Sequence, residues 1–401
     1  MKILVHAFVA VAMLALVACG GDAQQGPRMV VSSDRELGDL AAALLPDLAR
    51  RSGLTLSEPV RLERRSRAQL MRYLIHKLDE ELSEEDARHL VAAYALLGLV
   101  PDTLDLRALL LGLYTEQLAG FYEPDSATLF ILDDQPASVV QPLLVHELVH
   151  AVQDQSADLD VLTDPDLGND RGTAAHAAIE GHATLVMLEY LTEQTRGAPV
   201  DLGKVPDFTA AVRPGLEGLG TQFPALANAP AVIRETLLFP YLEGTGFVQN
   251  LWAREGRVAP FGSHLPLSTE QILTRDRQDL PVRLALSVEE GRVRHEDDLG
   301  RLELGIFLDA LLGAGWSRLA TGWGGDRYAL IEGTDGAEGL ALVVVWDDPP
   351  SRDRFVTAVV GALDRLPAPA TLEPAVVGGR AAAVLRVRLP GNVRVRAVVE
   401  R

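Results

Sequence analysis

The sequence is poor in cysteine and in positive charge, and each shortage excludes something. Cys19 is the single cysteine among 401 residues, so an internal disulfide bond is excluded. Lys and Arg number 37 against 56 Asp and Glu, and the resulting net charge of −19 disfavours nucleic acid as a partner. After residue 17 no apolar run is long enough to cross a membrane, which takes about 20 residues. The remaining composition, 48% hydrophobic and 23% charged, is that of a globular protein.

Residues 1–18 have the pattern of a secretion signal. Lys2 supplies the positive charge near the start. The apolar core that follows is too short to span a membrane, because a membrane-spanning helix needs about 20 residues. The segment ends in Leu16-Val17-Ala18-Cys19-Gly20, which resembles the lipobox of bacterial lipoproteins. The resemblance implies that Cys19 is lipidated and anchors the mature chain to a bacterial membrane, on its extracytoplasmic side. Residues 19–31, rich in Gly, Gln and Asp, are then expected to be a flexible tether.

An H-E-x-x-H motif occurs at His146, Glu147 and His150, inside an apolar run. On a helix, positions i and i+4 lie on one face, so this spacing directs both imidazoles at one ion. Glu147 can reach a water molecule on that ion. A hydrolytic zinc site needs these groups: two neutral nitrogen ligands, an open coordination position and a carboxylate base. The alternative is a helix that carries the three residues by chance, but buried polar groups are costly unless they are paired or bind metal.

A third metal ligand is expected from a later helix, predicted at residues 173–196. It cannot be a thiolate once Cys19 is lipidated, so it must be His, Asp or Glu. His176 and Glu180 share one face of this helix, and His182 points about 200° away from Glu180. Gly181 removes a side chain beside Glu180 and would allow another helix to approach closely.

The H-E-x-x-H motif followed by a Glu on a later helix resembles the gluzincin class of zinc metallopeptidases. The resemblance is closer to bacterial secreted proteins with a zincin fold, and it rests on four segments: residues 120–124, 146–155, 179–184 and 268–273. It implies Zn²⁺ as the cofactor and Glu180 as the third ligand, with His182 and His176 as rivals. The chain departs from the thermolysin pattern at Thr184, where those enzymes carry Asp.

Several residues are weaker candidates. Tyr241, next to a Pro and near two Gly, is a candidate donor to the oxyanion opposite the metal, and His264 is a second one. Asp154 either orients a ligand His or is a helix-end charge.

Residues 128–132 are predicted as a strand, either at a sheet edge where extended substrate can add or in the core. Residues 268–271 form a predicted capping box, which explains them without chemistry.

Hydrophobic periodicity predicts the rest of the fold. Helices are predicted across residues 37–48, 70–82, 84–97, 105–118, 138–155 and 230–254. Near Pro281 the composition changes; helices are predicted at residues 301–312 and 353–363, and strands at residues 327–332, 339–346 and 381–399. We expect an α+β protein with a helix-rich, zincin-like metallopeptidase domain at residues 32–280 and a small α+β domain at residues 281–401.

The function expected from these features is zinc-dependent hydrolysis of peptide bonds outside the cytoplasm. His146, His150 and Glu180 would bind the metal, and Glu147 would take a proton from the attacking water. The partners expected are a peptide or protein substrate and, through Cys19, a membrane. The alternative is a binding or assembly lipoprotein that keeps a zincin-like scaffold without catalysis.

Overall fold

The computed structural model describes residues 6–9, 29–205, 214 and 223–400. Cys19 and most of the predicted signal and tether lie outside the described residues. Val30 and Val31 lie in a strand, so the prediction of a flexible tether is wrong for these two residues. The chain is α+β, as predicted, and its described residues form three sheets with helices packed around them. Among the described residues no helix combines the length and apolar character needed to cross a membrane.

The first sheet holds the strands nearest the H-E-x-x-H helix. They are β1 (His6–Val9), β2 (Val30–Ser32), β3 (Val60–Arg65), β4 (Leu118–Glu123) and β5 (Thr128–Leu132), in the order β1-β4-β5-β3-β2. The strand β5 pairs with β4 on one side and β3 on the other, and all five of its residues are buried. It is therefore a core strand, and the alternative of an edge strand is wrong.

Helices make up most of residues 35–274. They are α1 (Arg35–Ser52), α2 (Arg67–Glu81), α3 (Glu84–Leu96), α4 (Leu106–Gln117), α5 (Ala137–Ala157), α6 (Leu159–Leu162), α7 (Asn169–Arg196), α8 (Pro224–Asn228), α9 (Ala231–Phe239), α10 (Thr245–Glu255) and α11 (Thr269–Thr274). The predicted helices are confirmed, and polar side chains cap the first four of them: Asp34, Ser66, Ser83 and Asp105 each accept a hydrogen bond from a main-chain N–H three residues on.

The predicted helix at residues 230–254 has an irregular middle. A π-helical segment, Pro240–Gly244, joins α9 to α10 without a break. Pro240 lacks the N–H of a regular α-helical turn, so a change of hydrogen-bonding pattern at this point has a local cause.

The second and third sheets lie in the carboxy-terminal part. The strands are β6 (Leu284–Glu289), β7 (Gly291–Asp297), β8 (Trp323–Gly333), β9 (Glu338–Trp346), β10 (Ala370–Val377), β11 (Arg380–Val387) and β12 (Arg394–Val399), with helices α12 (Gly300–Leu312) and α13 (Pro349–Val360). The larger sheet has the antiparallel order β10-β11-β9-β8-β7, and β12 pairs with β6.

Residues 381–399 were predicted as one strand, and this is wrong. They form β11 and β12, which belong to different sheets and are separated by a turn that contains Pro390 and Gly391. The strand β10 was not predicted, because Pro374 interrupts its strand-like sequence pattern. The strand lies at the edge of the larger sheet, where a proline is tolerated.

One hydrophobic core extends across both predicted domains. Leu74 and Leu110 from the helical part join Leu308 and Leu342 from the carboxy-terminal part in a single cluster, and all four are fully buried. The domain boundary near residue 281 therefore stays a prediction from composition.

Candidate metal centre

The helices α5 and α7 pack against each other and carry the H-E-x-x-H motif and Glu180. The helix α5 also packs against β4, β5 and α1, which is why its residues 142–153 are buried on every side. His146, Glu147, His150 and Glu180 each have 0% of their surface exposed. Four ionisable groups with no exposed surface need partners inside the protein.

Three ligand atoms converge where α5 faces α7. His146 Nε2 lies 3.0 Å from His150 Nε2 and 3.1 Å from Glu180 Oε2, and His150 Nε2 lies 3.5 Å from Glu180 Oε2. A tetrahedral zinc ion with ligands at about 2.0–2.1 Å keeps neighbouring ligand atoms about 3.3–3.4 Å apart. The triangle therefore has nearly the size that a zinc ion requires. Among the described residues these three side chains form a group able to hold a metal ion.

The two rival ligands do not join this triangle. His182 faces α1, where its Nε2 donates to the carbonyl of Ser52 at 3.1 Å, and burial lowers the pKa of its imidazole to about 3. This is the orientation that helical geometry predicted. His176 is buried on α7 but is not part of the group that converges with His146.

Gln153 orients His150, a role that sequence reasoning missed. Its Oε1 lies 2.8 Å from His150 Nδ1, which places the donor hydrogen on Nδ1 and leaves the Nε2 lone pair for a metal. Its Nε2 donates to the carbonyl of Ile179 and to Nδ1 of His182, both at 3.0 Å. One amide thus fixes α5 against α7. The available signal was a Gln inside an apolar helix, three residues after the second His.

Asp154 does not orient a ligand His, so that alternative is wrong. Its carboxylate accepts the hydroxyl of Tyr122 at 2.9 Å and the main-chain N–H of Leu159 at 3.1 Å. It therefore links the end of α5 to β4 and to the start of the next helix.

Glu147 is fully buried, and its carboxyl lies close enough to Glu180 for the two charges to interact. Burial raises the pKa of its carboxyl well above the usual range, and Glu180 adds to this, while the main-chain N–H of Tyr122 acts in the opposite direction. Among the described residues neither of its buried oxygens has a hydrogen-bond partner of good geometry.

Tyr241 lies on the π-helical segment and contacts the same centre. Its ring centroid is 6.5 Å from that of His146, and its hydroxyl hydrogen-bonds to Glu180. Burial raises the pKa of this hydroxyl, and Glu180 and Glu147 raise it further, so it remains protonated and can donate. His264, the other candidate donor, instead contacts Glu255 and Arg277.

Two glycines allow this approach. A Cβ atom added to Gly181 would lie 2.1 Å from the carbonyl carbon of Gly244, and one added to Gly244 would lie 2.0 Å from the carbonyl oxygen of Ala177. The main chains of α7 and the π-helical segment are thus in direct contact, which places Tyr241 beside Glu180. The expected role of Gly181 is confirmed.

Thr184 stands one turn after Glu180, at the position where thermolysin-type enzymes carry Asp. Its hydroxyl is buried and has no hydrogen-bond partner among the described residues. The chain thus has no carboxylate at this position to orient a ligand. Among the described residues, Gln153 orients the ligand His150.

Comparison with known proteins identifies only the carboxy-terminal part. A family model described as "Domain of unknown function (DUF8575)" matches residues 287–399. No curated protein and no solved structure matches the chain significantly. The residues of the metal centre lie outside the matched range, so their chemistry rests on their own geometry.

Proposed function

We propose that the protein is a zinc-dependent metallopeptidase that hydrolyses peptide bonds. The observation that carries the proposal is the triangle of His146 Nε2, His150 Nε2 and Glu180 Oε2, with edges of 3.0–3.5 Å, beside the buried carboxylate of Glu147. Two imidazoles and one carboxylate are a donor set of catalytic zinc sites, in which the fourth position stays open.

His146, His150 and Glu180 would hold the zinc ion, which would act as a Lewis acid on a carbonyl group and lower the pKa of water toward about 7. Glu147 accepts the proton of the attacking water and passes it to the leaving amine. Gln153 keeps His150 in the tautomer that presents Nε2. The hydroxyl of Tyr241, held by Glu180, is the candidate donor to the oxygen of the tetrahedral intermediate.

The amino-terminal pattern supports an extracytoplasmic, lipid-anchored location. Leu16 to Cys19 resembles a lipobox, and lipidation of Cys19 would hold the catalytic part near a membrane surface. Processing at Cys19 would remove β1, which pairs with β4 at the edge of the first sheet. The substrate would then be a peptide or protein that reaches the same compartment.

A non-catalytic binding lipoprotein is the second candidate, and the complete burial of the centre favours it. His146, Glu147, His150 and Glu180 expose no surface, whereas a substrate must reach the metal. Against this, a purely structural zinc site does not need a fully buried carboxylate such as Glu147 next to the ligand set.

The substitution Glu147→Gln separates the two candidates. It keeps the shape of the side chain but cannot accept the proton, and general base catalysis is worth about 10² to 10⁴ in rate. A broad peptide library is digested with wild type, with Glu147→Gln and with Glu36→Gln, which makes the same change at an exposed position on α1. Zinc content is measured in all three.

The enzyme proposal expects cleavage by wild type and Glu36→Gln, loss of most cleavage in Glu147→Gln, and equal zinc in all three. Equal cleavage by the Glu147→Gln variant contradicts the mechanism. If wild type cleaves nothing while it retains zinc, the binding-protein alternative is supported instead.

A further inference from the structure

A second group of carboxylates lies where α11 meets the carboxy-terminal sheets. It consists of Glu270 on α11, Asp279 in the segment that follows, and Asp347 directly after β9. One oxygen from each side chain lies within 4.8 Å of the others. Residues 270–279 and Asp347, which are distant in sequence, therefore bring like charges together, although repulsion opposes this arrangement.

The motif at residues 268–271 is only partly explained by contacts within the protein. Ser268 caps α11 by accepting the N–H of Gln271 at 3.2 Å, and Thr269 bonds to Asp170. The predicted capping box forms only in part, because the side chain of Gln271 accepts the N–H of Leu267 and not that of Ser268. Gln271 donates to the carbonyl of Asp279 at 2.8 Å and so fixes the segment that carries this residue. Glu270 is the exception among the four, because its carboxylate makes no hydrogen bond to any described residue.

Glu270 is nevertheless buried, with only 4% of its surface exposed. Its nearest cationic atom is Nε of Arg301, 4.0 Å from Oε1, which is too far for a hydrogen bond. That nitrogen is itself buried without a hydrogen-bond partner. A buried carboxylate in this state is costly unless another positive group completes the site.

The electrostatics of the group lead to the same conclusion. Burial raises the pKa of Glu270 to about 8, and Asp279 and Asp347 contribute to the increase. The pKa values of Asp279 and Asp347 are raised as well, by burial first and then by neighbouring carboxylates, although Arg380 partly opposes this. The positive charge of the surrounding side chains therefore does not neutralise the group.

We propose that Glu270, Asp279 and Asp347 bind one divalent cation of the calcium type. The donors are all oxygens, without imidazole or thiolate, and hard cations prefer such sites. Calcium lies about 2.3–2.6 Å from its ligands, so oxygens on opposite sides of the ion are up to about 5 Å apart, a span that accommodates this group. The ion connects α11 to β9 and stabilises the packing of the carboxy-terminal sheets against the helices. This site is independent of the proposed peptidase activity.

Calcium titration of the full chain tests the proposal. Zinc-loaded wild type is titrated with CaCl₂ in a calorimeter, and its unfolding temperature is measured with and without CaCl₂. The variants are Glu270→Gln, Asp347→Asn and, as a matched control, Asp364→Asn, which removes the same charge at an exposed position away from the group. MgCl₂ and an NaCl solution of equal ionic strength serve as ion controls.

Wild type and Asp364→Asn are expected to bind one calcium ion with a dissociation constant of about 10⁻³ M or lower, as extracellular modules do. Calcium raises their unfolding temperature by a few degrees. Glu270→Gln and Asp347→Asn weaken calcium binding at least about tenfold because each removes a ligand charge. Without calcium, Glu270→Gln unfolds at the wild-type temperature or above, because Gln requires neither a buried repelled charge nor the uptake of a proton on folding.

Other results overturn the proposal. An unfolding temperature that rises equally in NaCl means that salt screens the carboxylates and no site exists. Calcium binding that is absent in wild type, or unchanged in both variants, removes the site from these residues. If Glu270→Gln is less stable than wild type in calcium-free buffer, Glu270 has a structural role instead. If Glu270→Gln does not fold, Asp347→Asn tests the ligand set, because Asp347 is exposed.

Discussion

We predict that the amide of Gln153 strengthens metal binding at the proposed centre. It makes three contacts: Oε1 with Nδ1 of His150 at 2.8 Å, and Nε2 with the carbonyl of Ile179 and Nδ1 of His182 at 3.0 Å. The substitution Gln153→Met keeps the length of the side chain and removes all three. Loss of a group that orients a ligand His costs about 10- to 100-fold in metal affinity. This corresponds to about 1.4–2.7 kcal/mol.

The same substitution destabilises the metal-free protein. It leaves the buried Nδ1 of His182 without its donor, and an unsatisfied buried group costs about 1–3 kcal/mol. The carbonyl of Ile179 loses one donor but keeps its hydrogen bond within α7. Zinc affinity is measured by competition with a chromophoric chelator, and stability by urea unfolding of the metal-free protein. If the metal-free and zinc-bound proteins lose the same stability and zinc affinity does not change, Gln153 only joins α5 to α7.

Asp154→Asn is the matched control for this experiment. It changes the neighbouring residue on α5, and Asn can still accept the hydroxyl of Tyr122. Because Asp154 does not contact His150, zinc affinity should stay within about threefold of wild type, the usual scatter of such effects. If Asp154→Asn weakens zinc binding as much as Gln153→Met, the assignment of the orienting residue is refuted.

Three further substitutions test other parts of the account. Gly181→Ala places a Cβ atom 2.1 Å from main-chain atoms of the π-helical segment, so it should destabilise the protein by about 3 kcal/mol or more in urea unfolding; a neutral effect contradicts the close contact. Cys19→Ser should leave the chain unprocessed or release it from membranes on fractionation, whereas normal processing and sedimentation contradict lipidation. Burial raises the pKa of Glu303 from 4.5 to about 7, so the folded state binds this proton more tightly than the unfolded state, and stability falls as pH rises from about 4.5 to 7. The free energy of unfolding is measured in urea at pH 5 and pH 7.5. Its decrease between the two pH values should be smaller in Glu303→Gln than in wild type, by up to about 3 kcal/mol. An equal decrease in both proteins contradicts a raised pKa of Glu303.

Helical periodicity accounts for the part of the centre that was predictable. The spacing of His146 and His150 requires both rings on one face, and the same geometry turns His182 away from Glu180. These relations are local, so they hold in any fold that keeps the helices intact. The choice of Glu180 as third ligand also needed the resemblance to gluzincins, because His176 shares its face.

The parts that escaped prediction depend on contacts between distant segments. Gln153 becomes an orienting group only where α5, α7 and the carbonyl of Ser52 on α1 meet. The central position of β5 depends on its pairing with β3, more than sixty residues earlier in the chain. The group around Glu270 unites residues up to Asp347, so no local pattern indicates it.

The central claim is that His146, His150 and Glu180 hold one zinc ion. Metal analysis of purified protein equilibrated with zinc tests it most directly, in wild type and in the variants His150→Ala, Glu180→Ala, His182→Ala and His176→Ala. The account predicts about one zinc per chain in wild type, in His182→Ala and in His176→Ala, and almost none in His150→Ala and Glu180→Ala, since a catalytic site has three protein ligands. Full zinc content in Glu180→Ala, with its loss in His182→Ala or His176→Ala, would contradict the account.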